Sequence, residues 1–362
     1  MTDKVRSRPP VPLELSVRAL RFDGQSVRLL TDVAQPTPGP GEALIRPTLV
    51  GICSTDLEMS RPGSNFRGTL GHEFVGIVEY VNLPDNATPG IIERAKRLKD
   101  KRVVGSINIV CSKCDMCRSG LSSHCRSRTV LGCFGKDGCF ADFLTLPINN
   151  LSPVPAGLDD ARAVFAEPLA SAAHVTQMFR VEGKPYITVL GDGKLGLLCA
   201  QVMARLNASV RLLGKHPEKF GLCEKWGVKH RHIDDVGRRA DQDVVVDCTG
   251  SASGLALAMQ LCRPRGKIIL KSSVSPLPIL PGAPIPGANH PAWSAPVNLA
   301  PIVINEIELI GSRCGPIEVA LGMLEREEVQ VLNLITKRMK LDAGPAAFDA
   351  ARQGAIKIVM EI

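Results

Sequence analysis

Four cysteines fall within fifteen residues, in the pattern Cys111-x2-Cys114-x2-Cys117-x7-Cys125. Thiolates at this spacing suit tetrahedral Zn2+, which takes sulfur ligands at about 2.3 Å. With all four positions filled the site admits no substrate, so such a zinc is structural. An iron–sulfur cluster is the other group four thiolates could hold. Further ligand types are scattered along the chain: Cys53 in Gly-Ile-Cys-Ser-Thr-Asp, His72 and Glu73 in Gly-His-Glu-Phe, and Glu167 in Ala-Glu-Pro-Leu-Ala. Spacing alone leaves these open. A histidine beside a glutamate is commonly an ordinary pair, and Glu167 before Pro168 could simply open a helix, where a carboxylate suits the dipole.

A third pattern is Gly191-Asp-Gly193-Lys-Leu-Gly196. Three glycines at this spacing mean little by themselves. Here they follow the apolar run Tyr-Ile-Thr-Val-Leu and open a helical stretch, the context of a dinucleotide-binding turn. Gly191 permits the tight turn, Gly193 lets the backbone approach a pyrophosphate, and Gly196 lets helix and strand pack closely. The pyrophosphate then lies on the helix N-terminus, where free N–H groups and the dipole favour an anion. An NAD-type site would carry an acid at the end of the second strand for the ribose hydroxyl. This chain has Gly214 there, followed by Lys215, His216 and, a turn later, Lys219. Glycine leaves space and the cations attract a 2′-phosphate, which favours NADP(H) over NAD(H). The plainer reading of Lys215 and Lys219 is a solvated helix start.

Two kinds of segment must position these groups. Val/Leu/Ile-rich stretches broken by Gly and Pro over 13–50, 69–81 and 103–155 read as short strands and turns. Between them, the basic run over 91–102 reads as a short solvated helix. From about Ala161 the apolar spacing becomes helical. Strands are then expected at 186–191, 208–214, 243–250, 266–273 and 307–313, with helices between the first four. Continuous Val/Ile/Leu strands alternating with helices predict a doubly wound parallel α/β sheet covered on both faces. A helical segment over 316–328 and a short β tail close the chain. The segment 275–296 has seven prolines and cannot be the interior of a helix or strand. It is read as a pocket cap or part of an oligomer interface, with a passive loop as the alternative; His290 and Trp293 are its candidate contacts.

Composition sets the outer bounds. At about 100–200 residues per domain, 362 residues predict two domains. With 44% hydrophobic and 22% charged residues, collagen, coiled coil and wholesale disorder are excluded. No apolar run reaches the roughly 18–20 residues of a membrane helix, and the N-terminus lacks a secretory h-region. A cytoplasmic protein is expected, in which clustered cysteines favour metal over disulfides. The net charge of +8 is compatible with nucleic acid, an anionic cofactor or solubility alone.

Taken in order, GICSTD, GHEFVGIVE, the four-cysteine lobe, EPLA and VLGDGKLG resemble the zinc-containing medium-chain dehydrogenases/reductases. The likeness is to the alcohol dehydrogenase-like branch, especially the threonine, sorbitol and glucose dehydrogenase subgroups, and runs from about Val17 to Ile362. It implies a GroES-like β-rich catalytic domain over 1–169, with the structural zinc lobe at about 108–128. A Rossmann domain over 170–311 and a return to the catalytic domain over 312–362 would follow. It further implies that Cys53, His72 and Glu167 hold a catalytic zinc, and that Glu73 ligates directly or moves in and out of the shell. Thr55 matches the hydroxyl that relays the substrate proton, and Asp56 the carboxylate that orients the ligating histidine. By position, Leu195 and Ser171 should lie near the nicotinamide and Lys357 near the pyrophosphate.

The implied reaction is reversible hydride transfer between a secondary alcohol or polyol and NADP(H), in a chain with two zinc ions. The expected partner is a small-molecule alcohol or carbonyl, with no nucleic acid or membrane, in a homodimer or homotetramer. Alternatives are a zinc-independent quinone or enoyl reductase of the same superfamily, a zinc-ribbon nucleic-acid binder, and a crystallin-like protein that binds nucleotide without turnover. The basic stretch before the cysteine lobe and the Pro-rich insertion depart from the common pattern, so the substrate is not carried over.

Overall fold

In the computed structural model, residues 16–62, 64–274 and 297–362 are described; the Pro-rich segment 275–296, with His290 and Trp293, lies outside them. The described chain divides into two units. The first runs to Glu167 and resumes from Ile335 to Ile362, and the second runs from Pro168 to Leu334.

The first unit is β-rich because its apolar residues alternate with turn formers. Its largest sheet has seven strands. The central strand Glu42–Gly51 lies antiparallel to Glu73–Val81 on one side and to Lys357–Glu361 on the other. The register sets Gly51 opposite both Glu73 and Val359, so three chain segments meet at one rung. Leu44, Ile45, Val75, Val78 and Val103 are buried there. A separate three-stranded sheet, Asn108–Ile109, Thr129–Leu131 and Gly135–Lys136, carries the cysteine lobe as the excursion between its first two strands.

The second unit contains six parallel strands, in the spatial order Lys229–His232, Ser209–Gly214, Tyr186–Leu190, Gln242–Asp247, Cys262–Leu270, Glu308–Gly311. Numbered along the chain, this is 3-2-1-4-5-6, the dinucleotide-binding order, with its switch point between the first and fourth strands. Ile187, Val189, Leu212, Leu213, Val245, Val246, Ile268 and Ile269 are buried, as strands covered on both faces require. The third strand, Lys-His-Arg-His, has no apolar pattern, and the sequence reading gave it no place. It is a sheet edge, where polar side chains are the usual protection.

Two boundaries differ from expectation. The helix Ile317–Glu325 belongs to the second unit, and the chain returns to the first at Ile335 rather than at 312. Side-chain bonds hold this stretch: Gln201 bonds both the backbone N–H and the carbonyl of Gln330, and Arg205 reaches Glu328. The basic run forms the helix Pro89–Leu98, but it is not simply solvated. Ala95 and Leu98 are buried, and Arg94 donates to the carbonyls of Ile148 and Leu151, so one face is anchored.

Candidate active site and dinucleotide turn

Cys53 follows the central strand of the first unit and is the N-cap of the short helix Ser54–Met59. Its backbone N–H donates to Asp56 Oδ2 at 2.8 Å, which ties the third helical residue back to the cap. The other Asp56 oxygen lies 3.1 Å from His72 Nδ1, with both side chains buried. Cys53 Sγ, a nitrogen of His72 and an oxygen of Glu73 lie within 4.8 Å of one another. The Thr55 hydroxyl is 3.9 Å from Cys53 Sγ. Burial alone would depress the His72 imidazole, but the Asp56 carboxylate outweighs it and holds the ring well above its usual range. A half-buried thiol converging with a buried imidazole and a buried carboxylate forms a donor set that fits zinc.

Two buried thiols that the sequence reading passed over stand behind this group. Cys133 Sγ is 3.8 Å from His72 Nδ1, and Cys139 Sγ is 3.6 Å from the Glu73 carbonyl. Burial pushes both thiols up, keeping them neutral.

Glu167, half-buried in the first turn of the helix Ala166–Ala173, is not among the three ligand atoms gathered within 4.8 Å; Glu73 is. Lys357 is not presented to a pyrophosphate. It is fully buried and forms an ion pair with Glu73, its Nζ also 3.4 Å from the Ile52 carbonyl and 5.6 Å from the centre of the Phe165 ring. Gly51 explains the reach, because a Cβ there would stand 2.1 Å from Lys357 Nζ. Burial pulls the Lys357 ammonium down to about 8, against the opposing pull of Cys53 and Asp56.

In the cysteine lobe, Cys114 Sγ lies 3.5 Å from Cys117 and 3.9 Å from Cys125, and Cys125 lies 3.5 Å from Cys111. Four sulfurs at about 2.3 Å from one tetrahedral ion would stand about 3.8 Å apart, so the lobe fits zinc. As bare thiols they resist ionising together. Backbone donors at Arg126 and Cys117 pull Cys114 down to about 6, while desolvation and its neighbouring sulfurs push Cys117 up to about 12. A divalent cation removes that conflict.

The dinucleotide turn has the geometry its glycines demand. Gly191 has φ +104°, and a Cβ on Gly196 would stand 1.9 Å from the Gly191 carbonyl oxygen. Gly193, with nothing within 4 Å of its Cβ position, caps the helix Lys194–Ala204. Gly196→Ala is expected to weaken dinucleotide binding by roughly tenfold or more, read by fluorescence titration with reduced nicotinamide dinucleotides. Leu195 is half-buried in the first turn of that helix and Ser171 half-buried in Ala166–Ala173. At the end of the second strand Gly214 is buried, Lys215 and His216 are exposed, and Lys219 is half-buried. The Asp192 carboxylate, which the sequence reading did not single out, accepts from the backbone N–H groups of Lys215 and His216.

Comparison with known proteins agrees with this architecture. Residues 39–156 match the alcohol dehydrogenase GroES-like domain. The chain is 26% identical over 347 residues to a sorbitol dehydrogenase of Halalkalibacterium halodurans, covering 90% of this chain and 93% of that one. It is 30% identical over 255 residues to an L-threonine 3-dehydrogenase of Chelativorans sp. strain BNC1, covering 66% and 71%. Among solved structures, a candidate zinc-binding dehydrogenase from Sinorhizobium meliloti 1021 bound to NADP superposes with a TM-score of 0.77 at 26% identity, over 96% of this chain and 99% of that one. The chain belongs to the alcohol dehydrogenase-like medium-chain dehydrogenase/reductase family and is a dehydrogenase-type oxidoreductase.

Proposed function

We propose that this chain is a zinc-dependent oxidoreductase that moves a hydride between a secondary alcohol or polyol, or the matching carbonyl, and NADP(H). The observation that carries this reading is the convergence of half-buried Cys53 with buried His72 and Glu73, beside the hydroxyl of Thr55. Cys53, His72 and Glu73 would hold the catalytic zinc, with Glu167 as a further candidate ligand, and the four-cysteine lobe would hold a second, structural zinc. The catalytic zinc, when bound, supplies Lewis-acid polarisation of a substrate oxygen.

The chain's own groups do the rest. Asp56 holds His72 by Nδ1 and so fixes the ring orientation and tautomer of a ligand. Thr55 takes the proton from the alcohol oxygen and passes it outward as the carbonyl forms. The Gly191–Gly196 turn receives the pyrophosphate on the amide groups of the helix it opens. Leu195 and Ser171 would lie near the nicotinamide. In the balanced reaction the alcohol loses a hydride to NADP+ and a proton that Thr55 relays to solvent, giving ketone and NADPH. The first unit would thus be catalytic and the second would carry the cofactor.

The sorbitol and threonine dehydrogenase names of the relatives support an alcohol or polyol substrate, and the NADP in the Sinorhizobium meliloti structure supports the cofactor. A homodimer or homotetramer is our reading of the second unit's edge. The strand Glu308–Gly311 has a sheet neighbour on one side, and Leu299, Val303 and Ile304 nearby are exposed. Twelve cysteines without a disulfide suit a reducing, cytoplasmic setting. Among the described residues no helix is long and apolar enough to cross a membrane.

A panel of secondary alcohols, polyols, sugars and threonine, assayed with NADP+ and NAD+ at fixed zinc, tests the proposal. At least one alcohol should turn over, with kcat/KM higher for NADP+. A higher value with NAD+ removes the cofactor assignment. Turnover of quinones or enoyl substrates alone removes the reaction.

A further inference from the structure

The glycine-rich turn contains one acidic side chain. Asp192 follows Gly191, so it leaves the first strand, yet its carboxylate ends beneath the loop after the second. Its side chain is only 8% exposed. Oδ2 accepts from the backbone N–H groups of Lys215 at 2.8 Å and His216 at 2.7 Å, and Oδ1 lies 2.9 Å from His216 Nδ1. Gly214 makes this possible, because a Cβ there would stand 2.3 Å from Asp192 Oδ2. Burial opposes the charge on Asp192, but the His216 side chain and backbone donors outweigh it and hold the carboxyl below its usual range. It is therefore an anion at neutral pH.

Two consequences follow for the loop. Both backbone donors are spent on Asp192, so a phosphate arriving there must be met by side chains. The carboxylate is itself occupied by three donors, which leaves it poorly placed to receive a ribose hydroxyl as a strand-end acid would. The His216 ring, 52% exposed, is pinned at Nδ1, which sets Nε2 on its far edge, away from the carboxylate. The charge of Lys219 also acts on Asp192, which places that ammonium in the same neighbourhood.

We propose that Asp192 is the positioning residue for the adenosine 2′-phosphate of NADP(H): it holds His216 by Nδ1 as the imidazolium, the form in which both ring nitrogens are donors, so that Nε2–H meets the phosphate beside Lys215 and Lys219. The proposal rests on NADP(H) being the cofactor. Gly214 then has a more specific meaning than open space, since it admits an internal carboxylate that organises the cations around the phosphate.

The test is a set of equilibrium titrations of the zinc-loaded protein with NADPH and with NADH, at one pH and salt concentration. Asp192→Asn can still accept from both backbone N–H groups, and His216→Ala changes only an exposed side chain; thermal midpoints within a few degrees of wild type confirm folding. Each variant should weaken NADPH by roughly tenfold, as the loss of one charge-assisted hydrogen bond does, and leave NADH within about twofold. The double variant should bind no more weakly than either single one. Adding His216→Arg to Asp192→Asn should restore NADPH affinity, because a guanidinium needs no carboxylate to present a donor. Equal losses for both cofactors would reduce Asp192 to a structural role. Tighter NADPH and weaker NADH would make it an acid that rejects the phosphate; either result overturns the proposal. Wild-type preference for NADH would remove the underlying cofactor reading as well, whereas an NADPH-preferring wild type with unaffected variants overturns the proposal alone.

Discussion

Replacing Cys53 with serine is expected to abolish alcohol oxidation while leaving NADPH binding intact. A serine hydroxyl is not ionised at neutral pH, so the site loses its one soft, anionic donor and keeps only His72 and Glu73. Lewis-acid stabilisation of several kcal/mol corresponds to roughly a thousandfold or more in rate, enough to put turnover below detection. The dinucleotide turn draws on the backbone of Gly191, Gly193 and Gly196, which the substitution leaves unchanged, so the Kd for NADPH should stay within about twofold. Steady-state kinetics, cofactor titration and zinc analysis on one preparation separate these effects. Turnover retained by a Cys53→Ser protein that holds no zinc at this site would exclude the mechanism.

With no metal at Cys53, His72 and Glu73, Lys357→Met is expected to destabilise the first unit by about 3–5 kcal/mol, because it strips a buried carboxylate of its counter-ion. Glu73 and Lys357 are both fully buried, and they meet across a strand whose Gly51 leaves the space between them. With the ammonium gone, Glu73 must either take up a proton or remain charged in a medium of low polarity. Adding Glu73→Gln removes the buried charge, so the double variant should recover most of the loss. Urea unfolding of wild type, Lys357→Met and the double variant measures this coupling directly. A single-variant effect below about 1 kcal/mol would show that the pair is solvated or adaptable.

The contrast between Glu73 and Glu167 shows how far local sequence reaches. His72 and Glu73 are neighbours at the start of one strand, and Cys53 follows the adjacent strand, so sheet pairing brings them together. Spacing left all three open, and it was the family resemblance carried by the ordered motifs that named them. Glu167 belongs to a helix with no such pairing, and whether a carboxylate there reaches the other ligands depends on packing that no local pattern encodes. Lys357 is the clearest case. The resemblance set it near a pyrophosphate, and only the rung shared by Gly51, Glu73 and the last strand turns it inward.

The Rossmann-ordered sheet was legible for a similar reason. Four of its strands are buried Val/Ile/Leu runs, whose pattern follows directly from being covered on both faces, and the edge strand Glu308–Gly311 was legible from its apolar residues although it is largely exposed. The sixth, Lys229–His232, is a polar edge and carries no such signal. Asp192 was hidden by its setting. In a glycine-rich turn the glycines draw the attention, and nothing local says that the intervening side chain reaches the next strand's loop.

The most direct test of the account is the zinc content of the purified chain, measured by mass spectrometry of the metal against protein concentration. Three converging donors and a four-thiol lobe predict two zinc ions per chain. A value of one or none would contradict the assignment of a catalytic metal to Cys53, His72 and Glu73.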